Sequence, residues 1–173
     1  MFFIDRSKKI LMVNEQDSLP GRIDAMQFNE NHFLNNSSMK GPFPEDMSEI
    51  FFGMGCFWGA ERLFWNIEGV YVTSVGYAGG FTPNPLYEEV CSGLTGHTEV
   101  VHVVFEPKTI SIQEILKIFW EGHDPTQGMR QGNDMGTQYR SAIYYSDESL
   151  LDQIKKSEVN YSEALEVEGY SEI

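Results

Sequence analysis

The sequence predicts an α+β protein, an α/β two-layer sandwich with a ferredoxin-like β-α-β-β-α-β core, an irregular N-terminal arm and a C-terminal helix. From residue 49 onward, strand-like and helix-like apolar patterns follow one another in that order, which is the split βαβ pattern of two-layer folds. The 173 residues are the length of one domain. With 41% hydrophobic and 13% aromatic residues, the chain has enough apolar surface to fold around a core.

The charge of the chain excludes several classes of partner. Twelve Lys and Arg residues stand against 26 Asp and Glu residues, so the net charge is −14. Binding to nucleic acid or to an anionic membrane needs clustered basic residues, so neither is expected. No apolar run is long enough to span a bilayer, and residues 1–13 lack the pattern of a signal peptide. Two cysteines make no disulfide framework. We therefore expect a soluble, cytoplasmic protein, and a monomer.

The N-terminal arm is predicted over residues 1–48, which contain turn signals at 20–21 and 41–44 and little periodicity. We expect this arm to pack on a catalytic domain formed by residues 49–173.

The elements of the domain follow from local patterns. The first half predicts a buried strand over 50–54, a helix over 57–67 that Gly69 ends, a strand over 70–75 and a long loop over 81–96. The second half predicts a strand over 98–105, a helix over 112–122, a loop over 122–138, a strand over 139–145 and a weaker helix over 147–161. Ser111 and Glu114 form a capping-box signature before the second of these helices.

The most informative residue is Cys56, in the stretch GCFWGAE at 55–61. It falls between a strand and the first turn of a helix, where free backbone N–H groups and the helix dipole favour a thiolate. Gly55 and Gly59 would permit a sharp turn and the close approach of another group. The alternative is that Cys56 is a small buried hydrophobe, as free cysteines usually are.

Phe57 and Trp58 are consecutive aromatic residues at a helix start, and both cannot face the core. One of them can therefore form the wall of a small apolar pocket beside Cys56. The alternative is that Trp58 packs under the N-terminal arm.

Glu99 begins a strand face that continues with Val101, Val103 and Phe105. Desolvation on such a face would raise its pKa, and a protonated Glu near neutral pH can act as a general acid. The alternative is that Glu99 lies past the strand end in solvent.

Tyr87, Asp134 and Tyr139 lie in or after loops rich in turn residues, which commonly supply functional groups. The histidines at 97, 102 and 123 lack metal-ligand spacing and are expected to be structural. We expect Cys91 to take no part in the reaction. The alternative is that Cys91 is a partner for Cys56.

The motif around Cys56 resembles the signature of the peptide methionine sulfoxide reductase A family. Further motifs match the family in order and extend the resemblance from about residue 49 to residue 145. They are GYAGG at 76–80, YEEVCSG at 87–93, GHTE at 96–99, HDPTQ at 123–127 and QGNDMGTQYRS at 131–141. LPGR at 19–22 is similar to the entry arm of longer members.

The resemblance implies a role for each matching residue. Cys56 would attack the sulfoxide sulfur, and Glu99 would protonate the sulfoxide oxygen. Tyr87 and Tyr139 would hydrogen-bond that oxygen. The remaining matches would bind substrate: Phe57 and Trp58 around the S-methyl group, and Asp134 at the substrate backbone or an ordered water.

The reaction implied is reduction of methionine S-sulfoxide, free or in proteins, which repairs proteins after oxidative damage. It needs no metal or organic cofactor, and it leaves Cys56 as a sulfenic acid that thioredoxin or a small thiol must reduce. Many members carry resolving cysteines in a longer C-terminal segment, whereas this sequence has no cysteine after Cys91. The sequence is either a fragment or a short form, and we expect a one-cysteine cycle that uses an external thiol.

Two other functions fit the same residues. A cysteine hydrolase would pair Cys56 with His97 or His123 as a base. A truncated relative would bind oxidised methionine without turnover.

Overall fold

One antiparallel sheet organises the part of the chain that the computed structural model describes, residues 9–173. Its strands are β1 (Ser48–Met54), β2 (Val70–Ala78), β3 (Thr98–Phe105) and β6 (Ser141–Tyr144), in the spatial order β2-β3-β1-β6. Strand β3 therefore lies between β1 and β2, which a helix connects. Residues 1–8 lie outside the described residues. They belong both to the predicted arm and to the segment that lacks a signal-peptide pattern.

Helices and a small hairpin complete the fold. The helices are α1 (Phe57–Phe64), α2 (Tyr87–Cys91), α3 (Ile112–Gly122) and α4 (Leu151–Val167). The hairpin pairs β4 (Arg130–Gln131) with β5 (Asp134–Met135), and a 3-10 helix over Thr137–Tyr139 leads into β6. The predicted α+β class is confirmed. Within residues 9–173, no helix has both the length and the apolar character needed to cross a membrane.

The core lies between one face of the sheet and helices α1, α3 and α4. The ring of Phe52 in β1 stacks 5.5 Å from that of Phe64 in α1 and 4.9 Å from that of Phe119 in α3. Alternate residues of β3, including Val101 and Val103, are fully buried on this face. Since side chains two apart share a face, Glu99 is the polar end of the same buried row.

Local signals predicted some boundaries well. The strand over Thr98–Phe105 and the capping box are confirmed: the Ser111 hydroxyl accepts from the Glu114 amide, and the Glu114 carboxylate accepts from the Ser111 amide.

Several predicted boundaries are wrong. Helix α1 ends at Phe64 rather than at 67, and strand β2 continues to Ala78 rather than ending at 75. The loop over 81–96 contains α2, which is only five residues long and therefore leaves no periodic pattern. The loop over 122–138 contains the β4–β5 hairpin and most of the 3-10 helix, so that the last strand begins at Ser141 rather than 139. The last helix continues to Val167 rather than ending at 161. The prediction stopped short because most of the helix surface is polar and its apolar stripe is weak.

The described part of the arm, residues 9–47, is mostly irregular and contacts the rest of the chain. The Arg22 guanidinium binds the Glu89 carboxylate of α2 at 2.8 Å. The Thr82 hydroxyl donates to the Leu19 carbonyl at 2.9 Å. These contacts hold the arm against the segment that carries Tyr87.

Candidate active site

Cys56 is exposed and forms the N-cap of α1, two residues after β1 ends. The turn between strand and helix needs glycine at position 55, where φ is +85° and a Cβ would lie 2.6 Å from the Gln131 side chain. The close approach predicted there is confirmed. No neighbour lies within 4 Å of a Cβ built at Gly59, so the close approach of another group to Gly59 stays a prediction. The exposure of Cys56 also makes the buried-hydrophobe alternative wrong.

Glu99 lies directly behind the start of α1. Its side chain is only 2% exposed, and its Oε2 accepts a hydrogen bond from the Phe57 backbone N–H at 3.2 Å. Burial raises its pKa to about 6, the hydrogen bond from Phe57 acts in the opposite direction, and the charge of Asp134 adds to the rise. The alternative of a solvated Glu99 is wrong, and its carboxyl is linked to the residue next to the thiol.

Tyr77 is a member of the site that the sequence analysis missed. It stands opposite Glu99 in the pairing of β2 with β3, and its ring centroid lies 5.9 Å from that of Phe57. Burial, followed by the charge of Glu99, raises the pKa of Tyr77 to about 12, so its hydroxyl keeps its proton. Tyr77 belongs to the GYAGG motif at 76–80, which is the only indication of it in the sequence. The motif alone does not give the strand register that places Tyr77 opposite Glu99.

Tyr87 and Tyr139 approach the same carboxyl from two other segments. Tyr87 begins α2 and is half exposed; its pKa is raised to about 12, chiefly by hydrogen bonding with the Cys91 side chain one turn later. Tyr139 ends the 3-10 helix, and burial followed by the charge of Glu99 raises its pKa. The charge of Cys56 also acts on Tyr87. The charge of Glu99 thus acts on both predicted tyrosines, and that of Cys56 acts on Tyr87.

The other predicted site residues lie at the rim. Asp134 is exposed in β5, and its charge acts on both Glu99 and Tyr139. Phe57 is partly buried, whereas Trp58 is 76% exposed, so Trp58 does not pack under the arm. The Cys91 side chain is partly buried next to Tyr87.

The histidines are structural, as predicted. The Nδ1 of His97 accepts from the Gly80 amide at 3.2 Å, and its Nε2 lies 2.8 Å from the Thr82 carbonyl oxygen. The two ring nitrogens of His123 lie 2.8 Å from the Phe119 carbonyl oxygen and 2.8 Å from the Ser141 hydroxyl. None of these hydrogen bonds involves Cys56, so neither ring is placed in this structure as a base for the thiol.

His102 is occupied in the same way, with its Nε2 3.0 Å from the Glu49 carboxylate. Among residues 9–173, no cluster of three His, Cys, Asp or Glu side chains could hold a metal ion.

Arg140 joins the loops that carry the site. Its guanidinium donates to the Gly96 carbonyl at 3.0 Å and to the Thr137 carbonyl at 2.7 Å, and it reaches the Tyr144 hydroxyl at 2.9 Å. The first carbonyl belongs to the loop before β3, and the second to the 3-10 helix that ends at Tyr139. One side chain therefore fixes Glu99 and Tyr139 relative to each other.

An exposed thiol at a helix start, backed by a buried carboxyl and protonated tyrosines, is the arrangement of an enzyme with a cysteine nucleophile. The family model described as peptide methionine sulfoxide reductase matches residues 48–170. A peptide methionine sulfoxide reductase MsrA of Brucella anthropi is 56% identical over 174 residues, which cover all of this chain and 80% of that protein.

Solved structures agree with the sequence relatives. Methionine sulfoxide reductase A of Corynebacterium diphtheriae superposes with a TM-score of 0.87 at 42% identity, over 94% of this chain and 77% of its own. Mxr1 of Saccharomyces cerevisiae in complex with Trx2 has a TM-score of 0.53 at 22% identity, over 73% of each chain.

The chain belongs to the peptide methionine sulfoxide reductase family. It is an oxidoreductase that acts on methionine sulfoxide, and the α+β class, the family and the reduction of methionine sulfoxide predicted from the sequence are confirmed.

Proposed function

We propose that Cys56 is the nucleophile and Glu99 the general acid in reduction of the S epimer of methionine sulfoxide, free or in proteins. The observation that carries this proposal is the hydrogen bond between the Glu99 carboxylate and the Phe57 amide, which ties the acid to the residue next to the thiol. The position of Cys56 at the start of α1 supports the assignment, because a helix N-terminus favours negative charge.

The chemical step transfers one oxygen atom. The Cys56 thiolate attacks the sulfoxide sulfur while Glu99 delivers a proton to the sulfoxide oxygen. This attack forms a sulfur–sulfur bond. The sulfur–oxygen bond of the substrate then breaks as the protonated oxygen is transferred to the Cys56 sulfur, and the sulfur–sulfur bond breaks as methionine leaves, so that Cys56 carries a sulfenic acid. The sulfur of methionine is reduced, and that of Cys56 is oxidised.

The tyrosines hold the sulfoxide oxygen as negative charge develops on it. A tyrosine hydroxyl ordinarily keeps its proton at neutral pH, and the raised pKa values of Tyr87 and Tyr139 act in the same direction, so both are hydrogen-bond donors. Phe57 and Trp58 surround the S-methyl group, and Asp134 positions the substrate backbone or a water. We add Tyr77 to the donors, since it faces Glu99 across the sheet.

Recycling needs two equivalents of an external thiol. The first thiol displaces water from the sulfenic acid and forms a mixed disulfide, and the second releases Cys56. The yeast neighbour Mxr1 was solved with Trx2, which supports a thioredoxin as one reductant; a small thiol is the other. A reducing compartment such as the cytoplasm suits this cycle. We also propose that residues 49–173 are the catalytic domain, that residues 1–48 are an arm on it, and that the enzyme works as a monomer.

A turnover assay with the two epimers of methionine sulfoxide, with and without dithiothreitol, tests the proposal. We expect sustained methionine formation from the S epimer only when dithiothreitol is present, and none with Cys56→Ser. Hydrolysis of esters or amides without reductant would favour the hydrolase. Binding of the sulfoxide without turnover would favour a non-catalytic relative.

A further inference from the structure

A groove of about 1000 Å³ lies between the arm and the sheet–helix layer. Residues 25–39 of the arm form one wall, and residues of α1, β2 and the segment just after α1 form the other; we call it the arm groove. Its lining is mainly apolar, with Met26, Phe28 and Leu34 on the arm and Trp65 and Val75 opposite. This volume far exceeds that of one methionine side chain.

The arm groove is continuous with the active site. Phe57, Tyr77 and Tyr87 line the groove, and the same residues surround the position where the sulfoxide would react. A polypeptide whose oxidised methionine occupies the site therefore has this groove as one path away from the site.

The groove is held open by polar contacts at its base. His32 is 6% exposed, and its Nε2 lies 3.2 Å from the Thr73 hydroxyl, which donates to Glu61 of α1 at 3.0 Å. The Asn35 side chain donates to the Tyr71 carbonyl at 2.8 Å. Because the arm is fixed to β2 and α1 at these points, the groove exists before a ligand arrives.

The apolar walls face solvent. Phe33 is 97% exposed, and Met26, Phe28 and Leu34 are each at least half exposed. Contiguous exposed apolar residues mark binding sites, and flexible methionine side chains adapt to varied apolar partners.

We infer that the arm groove binds the residues that flank the oxidised methionine in a polypeptide substrate, and that it selects apolar flanks. The inference rests on the proposed function and assigns it a substrate class, namely methionine sulfoxide in apolar segments that unfolding or damage has exposed. Glu61 lines the groove and the chain carries a net charge of −14, so acidic flanks are disfavoured.

Peptide kinetics test the groove. Three substrates are compared: free methionine S-sulfoxide, a hexapeptide with Leu and Val around the oxidised residue, and the same peptide with Asp flanks. The variants are Phe28→Ser and Phe33→Ser, whose side chains are largely exposed, with Val167→Ser as control because Val167 is 84% exposed on α4, outside the groove lining. We expect the double variant Phe28→Ser/Phe33→Ser to lose about tenfold in kcat/KM on the apolar peptide, through KM, and to keep its rate on the free amino acid.

Fluorescence anisotropy of the labelled, oxidised apolar peptide, with Cys56→Ser as the common background of every variant, measures binding independently of turnover. Weaker binding by the double variant supports the groove even if the assigned chemistry fails, which separates the two proposals. Equal kcat/KM for apolar and acidic peptides, or equal losses on free and peptide substrates, would overturn the inference. A changed sedimentation coefficient of the double variant together with unchanged peptide kinetics would also overturn the inference. The groove would then be a contact between two copies of the chain.

Discussion

Replacing Glu99 by Gln is expected to slow sulfoxide reduction and to make the folded protein more stable at alkaline pH. Gln cannot deliver the proton that the sulfoxide oxygen needs, although its carbonyl can still accept the hydrogen bond from the Phe57 amide. The buried carboxylate is a cost of folding, because ionisation is less favourable in the core than in water. The substitution removes both the acid and that cost.

The size of the stability gain follows from the pKa of Glu99. Its ordinary value is 4.5, and burial raises it to about 6 in the folded protein. At about 1.4 kcal/mol per pKa unit, the ionised side chain opposes folding by about 2 kcal/mol above pH 6. Because the folded-state pKa is the higher one, the cost is absent below pH 4.5 and grows between pH 4.5 and 6. At pH 5 it is less than half of its full value.

Two measurements check the expectation. Stopped-flow formation of the Cys56 sulfenic acid should slow by at least about 10²-fold in Glu99→Gln, the lower range for loss of a positioned acid. Urea unfolding at pH 8 should give a free energy of unfolding about 2 kcal/mol above that of the wild type, and the gain should shrink at pH 5. Glu166→Gln, at an exposed position of α4, is the matched control and should change neither.

Each half of the reasoning can fail separately. An unchanged rate of sulfenic acid formation would remove Glu99 from the mechanism. A stability difference that does not vary between pH 8 and pH 5 would mean that burial does not raise the pKa of Glu99.

Three further outcomes are expected. Cys56→Ser should abolish reduction, and Cys91→Ser should leave sulfenic acid formation intact, because only Cys56 lies at the start of α1. The stopped-flow assay of sulfenic acid formation checks both variants, and the reverse result would exchange the roles of the two cysteines. Gly55→Ala should lower the free energy of unfolding by about 1–3 kcal/mol, since φ is +85° at this position and the new Cβ would meet Gln131. Gly59→Ala should not lower the free energy of unfolding, and equal urea midpoints for the two variants would refute the reasoning. Without reductant, the enzyme should release a single methionine and stop with a free thiol at Cys91, and mass spectrometry that finds a Cys56–Cys91 disulfide would contradict the one-cysteine cycle.

Features encoded by neighbouring residues could be predicted from the sequence. The strand over Thr98–Phe105 follows from its β-branched residues, and the start of α3 from its capping box. Cys56 was found because a strand and a helix meet there, which fixes its surroundings without knowledge of the rest of the fold. For Glu99 the alternation of its strand leaves two possibilities, a buried carboxyl or a solvated strand end, and only the resemblance to the family assigns it as the acid; the structure places it on the buried face.

Features that depend on distant residues could not be predicted. Tyr77 joins the site only through its pairing with Glu99, and pairing register is a property of two strands. Helix α2 is too short to leave a period and depends on Glu89, which binds both its own first turn and Arg22 of the arm. The arm groove likewise exists only once the arm has docked.

The Arg140 contacts described above have a consequence for how the active site appears during folding. The Gly96 carbonyl that its guanidinium reaches lies 44 positions earlier in the chain. Closing so long a loop is entropically costly, so these bonds form after the local helices. The pairing of β1 with β3 brings Glu99 behind the start of α1, and the Arg140 bonds then join the loop before β3 to the 3-10 helix that carries Tyr139. The complete site therefore depends on contacts between distant parts of the chain, whereas the position of Cys56 at the start of α1 depends only on neighbouring residues.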